Sequence, residues 1–104
     1  MACLVEITLR AERDFAEIYE ALAAGQSNAA RRWYIGLKSA ILGLEELPHR
    51  CPIVRKRGRI RQFLYGHKPH VYLVLFRVLE KENLVQVLHI RHGARRKFKP
   101  FDVS

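Results

Sequence analysis

The hydrophobic positions at the start of the chain change their spacing after the first ten residues. Val5, Ile7 and Leu9 alternate with polar residues, and a period of two predicts a strand with one buried face. From residue 11 onward the apolar side chains recur three and four positions apart, which predicts an amphipathic helix. Those side chains are Phe15, Ile18, Tyr19 and Leu22. Gly25 follows as a natural end for this helix.

A second, longer helix is predicted to begin after Ser27 and Asn28, which are both suitable N-cap residues. Its apolar stripe consists of Ala30, Trp33, Leu37, Ala40, Ile41, Leu44 and Leu47, and Pro48 ends it. Because only a few residues separate the two helices, we expect them to fold back as an antiparallel hairpin. At this spacing Trp33 is interpreted as a core residue.

The second half of the chain indicates a loop followed by three strands. Residues 48–58 contain two prolines, a glycine and four basic side chains, which is typical of a loop. The predicted strands cover residues 59–65, 71–79 and 84–91, and the middle one is nearly all apolar, as expected for a central strand. The resulting order predicts an α+β domain, in which an N-terminal strand and an antiparallel three-stranded meander carry the helical hairpin on one face.

The charge distribution is the compositional feature that changes this picture most. The 104 residues are expected to form a single domain, and their net charge is +9. Residues 1–47 hold five basic and seven acidic side chains, whereas residues 48–104 hold fourteen basic and three acidic ones. Such a one-sided field attracts polyanions: nucleic acid, the ribosome, a nucleoprotein enzyme or an acidic protein segment. A basic face kept for solubility is the second interpretation, since solubility does not require this asymmetry.

Several classes of protein are disfavoured. Cys3 and Cys51 have neither CxxC nor metal-ligand spacing, so we expect reduced thiols, no metal site and no cofactor. The N-terminus lacks the basic and apolar regions of a secretory signal. No stretch approaches the roughly 20 apolar residues needed to cross a membrane. These features predict a cytoplasmic protein without a membrane partner.

The order of the elements, together with several local patterns, resembles the RelE/ParE toxin family over nearly the whole chain. The segments that carry the resemblance are residues 5–18 at the first strand and helix, 29–33 and 44–48 in the second helix, 60–63 and 72–78 in two strands, and 87–95. The last segment is similar to the ending of the ParE branch. The resemblance implies the toxin of a type II toxin–antitoxin system, neutralised by a cognate antitoxin.

The antitoxin of this family wraps its toxin with a C-terminal segment that folds on binding. An acidic or amphipathic segment would stabilise a small basic domain by mass action and by neutralising its charge. We expect it to bind in the groove between the helical hairpin and the sheet, or to add a strand at an exposed edge.

The family has two principal activities, which are cleavage of mRNA on the ribosome in the RelE branch and non-hydrolytic inhibition of DNA gyrase in the ParE branch. RNA cleavage needs a base, an acid and cations at the phosphate, and the candidates here are Arg61, Tyr72 and His92. Ribonuclease relatives often carry an arginine where this chain has Leu73, and commonly an aromatic where it has residues 95–97. The first hypothesis is therefore a ParE-like gyrase inhibitor; an mRNA endonuclease is second, and a toxin-like protein that retains only antitoxin binding is third.

The cations predicted to bind the target are concentrated in the loop before the meander and near the C-terminus. They are Arg55, Lys56, Arg57, Arg59, Arg61, Arg95 and Arg96. A loop with clustered cations is a good polyanion contact and a poor structural element.

Structural alternatives exist for the candidate catalytic groups. For Arg61 the alternative to a catalytic role is a structural ion pair with Glu6 or Asp14. His89 and His92, three positions apart on a strand, are expected to face opposite sides and to be structural.

Overall fold

The computed structural model describes residues 4–22, 25–46, 48–66 and 71–92. The helices and strands are β1 (Leu4–Ile7), α1 (Leu9–Ala21), α2 (Asn28–Leu42), β2 (Ile53–Arg55), β3 (Ile60–Tyr65), β4 (Tyr72–Leu79) and β5 (Leu84–His92). Short 3-10 turns occupy Gly43–Glu45, Pro48–Arg50 and Glu80–Glu82. The predicted α+β class, with an N-terminal strand followed by two helices, is confirmed.

The sheet is wider than the predicted meander. Its five strands lie in the order β1-β5-β4-β3-β2. Strands β3, β4 and β5 form the expected antiparallel meander, while β1 runs parallel to β5. The additional strand β2 lies within the segment predicted as a loop and pairs antiparallel with β3. Pro52 immediately precedes β2, and an edge strand tolerates a neighbouring proline because its outer N–H groups need no partner.

Both helices cover one face of the sheet and form the main core with it. Its largest fully buried side chains include Phe76, Leu37, Ile41, Val74, Val85 and Val87. The helices also contact each other through Phe15 and Tyr34, whose rings meet edge to face with their centroids 5.8 Å apart. Trp33 is partly buried and packs against this core.

The two helices begin at side-chain caps. The Thr8 hydroxyl accepts from the backbone N–H of Ala11, and the Ser27 hydroxyl accepts from that of Ala30. Thus α1 begins two residues earlier than predicted, and the predicted cap of α2 is confirmed. The prediction that α2 continues to Pro48 is wrong, because the backbone tightens into a 3-10 turn after Leu42. That turn keeps Leu44 in the core, which is why the apolar spacing suggested a continuous helix; Leu47 lies outside the described residues.

Candidate functional site at the sheet edges

Four of the seven predicted target-binding cations lie together on the hairpin that joins β2 to β3. Arg55 ends β2, and Lys56, Arg57 and Arg59 belong to the turn, where the Arg59 N–H donates to the Lys56 carbonyl at 3.0 Å. Gly58 and Arg59 both have left-handed backbone, with φ of 79° and 51°, so the turn needs the glycine's conformational freedom. The side chains in the turn are exposed. The cations are therefore presented by a hairpin turn and not by an irregular loop.

Arg61 is engaged with the backbone of the segment after α2. Its Nη1 donates to the carbonyl of Cys51 at 2.6 Å and to that of His49 at 3.2 Å. These bonds hold residues 49–51 against the sheet. The alternative ion pair with Glu6 or Asp14 is wrong, since Glu6 accepts from a glutamine side chain and Asp14 accepts from donors on β5.

Of the three candidate catalytic residues, two lie together and one lies apart. Tyr72 and His92 face each other across β4 and β5, with ring centroids 5.0 Å apart and nearly perpendicular. The ring of Trp33 also contacts Tyr72, with the two centroids 5.1 Å apart, and burial raises the pKa of the Tyr72 hydroxyl. Arg61 pairs with Phe76, four positions along β4 from Tyr72, which is about 13 Å at the usual rise of a strand.

A cleft of about 500 Å³ lies between α1 and the end of β5. Strand β1 stops pairing with β5 at Val87, so the last residues of β5 have α1 beside them in place of a strand. His89 and His92 both line the cleft, although they belong to opposite faces of the strand by register, because a strand edge borders both faces. Its charged lining residues are Arg10, Arg13, Asp14, Glu17 and Arg91.

A buried carboxylate fastens α1 to β5 beside this cleft. Asp14 Oδ2 accepts from the His89 Nδ1–H at 2.6 Å and from the Ile90 backbone N–H at 2.9 Å. Arg10 completes the cluster, with Nε 3.6 Å from Asp14 Oδ1 and Nη2 3.5 Å from His89 Nε2. When Nδ1 carries the proton of the ring, Nε2 is the acceptor for the Arg10 N–H.

This cluster was not predicted, because α1 and β5, which supply its members, are far apart in the chain. Asp14 and His89 are separated by 75 positions. The one local signal is that Asp14 lies on the buried side of α1, with Ala11, Phe15 and Ile18. A carboxylate within an apolar stripe needs a donor from another element.

The remaining predictions concern the C-terminal cations, metal binding and membrane spans. Arg95 and Arg96 lie outside the described residues. In the part of the chain that the structure describes, no three His, Cys, Asp or Glu side chains are placed to hold a metal ion. None of the helices in that part has the length and apolar character that crossing a bilayer requires.

Known proteins show which family the chain belongs to. The family model for the ParE toxin of the type II toxin–antitoxin system parDE matches residues 5–97. The chain belongs to the ParE toxin family. The predicted membership of the RelE/ParE superfamily is confirmed, and this protein is the toxin of a type II toxin–antitoxin system. No curated protein matches this ParE-family toxin.

Two solved structures show the same fold. The free state of an arginine-to-alanine double mutant of the Escherichia coli toxin RelE is 16% identical, with a TM-score of 0.60 over 91% of this chain and 86% of that one. The toxin–antitoxin complex RelBE2 from Mycobacterium tuberculosis contains a chain 21% identical, with a TM-score of 0.61 over 90% of this chain and 94% of that one. At these identities the likeness concerns the fold alone.

Proposed function

We propose that this ParE-family toxin inhibits DNA gyrase by binding it through the basic β2–β3 hairpin, and that a cognate antitoxin neutralises it. The family match over residues 5–97 is the observation that carries the proposal. The exposed cations of the hairpin support it, since a polyanion-bearing complex such as gyrase on DNA is attracted by clustered, solvated cations. Inhibition by binding requires no catalytic group.

The positions of the nuclease candidates favour binding over cleavage. Arg61 donates its hydrogen bonds to backbone carbonyls, and its position on the sheet is about 13 Å from Tyr72. Leu73 is only 6% exposed, so the position after Tyr72 supplies apolar packing where a ribonuclease would supply a cation. The contact between Tyr72 and His92 is the feature that favours the alternative, a RelE-like mRNA endonuclease.

The antitoxin part of the proposal is supported by an apolar groove on the helices. Trp33, Leu22 and three alanines of α1 and α2 line it. An amphipathic antitoxin segment would bury its apolar side chains there, while its acidic residues would offset the excess positive charge of the toxin. Trp33→Ala should weaken antitoxin binding, and because Trp33 also packs on Tyr72, circular dichroism must first show that the variant is folded.

The decisive experiment is a gyrase assay with purified toxin, supercoiled plasmid and ATP. We expect linearised DNA or blocked supercoiling in proportion to toxin, and reversal when antitoxin is added. The double reversal Lys56→Glu with Arg57→Glu should raise the half-inhibitory toxin concentration at least about tenfold, or about 1.4 kcal/mol. The matched control is Arg32→Glu with Lys38→Glu, which changes the net charge equally at exposed positions of α2.

The outcomes separate the two branches of the family. If folded toxin in large excess leaves gyrase unaffected but cuts mRNA on translating ribosomes, the gyrase proposal is wrong and the endonuclease replaces it. In that case His92→Ala should abolish cleavage while antitoxin binding remains. If gyrase is inhibited and both charge-reversed variants lose activity equally, the overall charge acts and the hairpin is not the contact.

A further inference from the structure

Strand β3 has a neighbouring strand at its outer edge over only part of its length. The Gln62 N–H donates to the Pro52 carbonyl at 3.1 Å, but Pro52 has no N–H with which to return the bond. The Gln62 carbonyl therefore receives no donor from it. Before Pro52 the chain turns away, since the Cys51 N–H donates to the Pro48 carbonyl and closes a 3-10 turn. Within the described residues, no strand lies beside the second half of β3.

Leu64 carries the other unpaired backbone groups of this half of β3. Residues two apart on an antiparallel strand direct their N–H and C=O groups to the same edge, so Leu64 faces outward as Gln62 does. The Leu64 side chain is 53% exposed. Together the two residues present one N–H and two carbonyls at the spacing of a strand. An extended peptide carries donors and acceptors at that spacing and can pair with such an edge.

A slot of about 370 Å³ lies along this part of β3, in line with β2. None of its lining residues is acidic; they are Arg50, Cys51, Pro52, Gln62, Phe63 and Leu64. Arg50 is exposed, and the cationic hairpin that joins β2 to β3 continues along the same edge. Glu80 reaches the segment before the slot through a 3.1 Å contact with His49, but the cations of this edge outnumber it. The slot therefore favours a negatively charged ligand.

We propose that this slot binds an extended acidic peptide segment of a partner protein, which adds a strand beside β3 in line with β2. The N–H groups of the segment donate to the carbonyls of Gln62 and Leu64, and one of its carbonyls accepts from the Leu64 N–H. Its carboxylates face Arg50.

Two other occupants fit this edge less well. The phosphates that dominate nucleic-acid binding accept hydrogen bonds but have no donor for the two carbonyls. A second copy of the chain carries the same net charge of +9, so it is repelled. An acidic peptide matches both the backbone groups and the charge of the slot.

A segment bound in the slot lies beside the cationic hairpin, and we expect it to compete with gyrase for that surface. This consequence rests on the proposed function, whereas the binding of the peptide does not. Binding is therefore measured without gyrase, so that the failure of one proposal can be distinguished from the failure of the other.

The test is the fluorescence anisotropy of a labelled peptide of alternating glutamate and valine, titrated with the full chain at neutral pH. We expect saturable binding, at least about tenfold tighter than that of the same peptide with two adjacent central amide nitrogens methylated, because methylation removes a donor from each edge of the peptide strand. Lysine in place of glutamate should weaken binding by at least as much. Arg50→Gln should weaken it about threefold, whereas Arg32→Gln, an equal change of charge at an exposed position of α2, should leave it unchanged.

Hydrogen exchange of single amides, followed by NMR, locates the bound peptide. The Leu64 N–H should exchange at least about tenfold more slowly when the peptide is bound. The Ile7 N–H is the matched control on the opposite edge of the sheet. The N–H groups of Leu4 and Thr8 donate to carbonyls of residues 83 and 87, so that of Ile7 faces outward from β1 and its exchange should not change.

Several results would overturn the proposal. They are equal binding of the methylated and unmethylated peptides, equal binding of the lysine peptide, an unprotected Leu64 amide, and equal effects of Arg50→Gln and Arg32→Gln. A single-stranded oligonucleotide that binds more tightly than the acidic peptide, and that Arg50→Gln weakens, would assign the slot to nucleic acid instead.

Discussion

The cationic hairpin and the α1–β5 cleft use the same residue types in opposite ways. On the hairpin, Lys56 and Arg57 are consecutive in the chain, exposed and directed to solvent. In the cleft, Arg10, Asp14 and His89 come from two distant segments and bond to one another. The hairpin cations produce an electrostatic field that extends into the solvent. The bonds within the cleft attach α1 to β5. We therefore expect charge on this toxin to affect target binding at one edge of the sheet and stability at the other.

The largest change in the free energy of unfolding should follow the removal of the Asp14 carboxylate. Asp14→Ala leaves the ring N–H of His89 and the backbone N–H of Ile90 buried without an acceptor, and we expect a loss of about 3 kcal/mol in the free energy of unfolding. Urea denaturation followed by circular dichroism measures it. Asp14→Asn, which keeps one acceptor oxygen, should lose less.

The exposed neighbour Glu17 provides the control for this prediction. Glu17→Ala removes a carboxylate one turn further along α1, and its effect should stay within about 0.5 kcal/mol. Similar losses for Asp14→Ala and Glu17→Ala would show that the buried cluster contributes nothing specific.

An intermediate effect is expected at Arg61, which lies near the hairpin in sequence but behaves as a structural residue. Arg61→Ala removes two charge-assisted bonds to residues 49 and 51 and should cost about 1.5 kcal/mol of stability. Arg57→Ala, in the adjacent turn, is the matched control and should cost almost nothing. If gyrase inhibition by Arg61→Ala falls further than its folded fraction does, Arg61 also contacts the target.

The smallest change in stability should come from the hairpin itself. Lys56→Ala should shift the free energy of unfolding by less than about 0.5 kcal/mol. The same variant should make gyrase inhibition less sensitive to salt, because one fewer cation is involved in the contact. Inhibition measured at two salt concentrations gives the slope of inhibition against salt. An unchanged slope would show that Lys56 does not take part in the contact.

Most of the fold was predictable because the apolar spacing is local. Phe15 and Ile18 on α1, and Val74 and Phe76 on β4, follow the helical and strand periods and lie in the core. Strand β2 was missed because three residues beside a proline are too few to display a period. The early end of α2 was missed because the 3-10 turn keeps Leu44 in the core.

The two sites differ in the same way: the hairpin cations could be predicted from the sequence, and the cleft could not. The hairpin cations form a run in the sequence and needed no structure to be noticed. The cleft depends on the bond between Asp14 and His89, which are 75 positions apart, and on Tyr72 of β4, which lines it together with residues of α1. No local pattern reports such a pairing, so only the folded chain brings these groups together.

The parallel pairing of β1 with β5 has a consequence for synthesis of the toxin. Leu4 and Ile7 pair with Leu84 and Val87, so the first strand has no neighbour in the sheet until the last described strand has left the ribosome. At about 5–20 residues per second the intervening segment takes several seconds to make, and contacts of such long range also slow folding. We expect the nascent chain to remain incompletely folded through this interval, and the toxin to gain activity late and abruptly once β5 emerges.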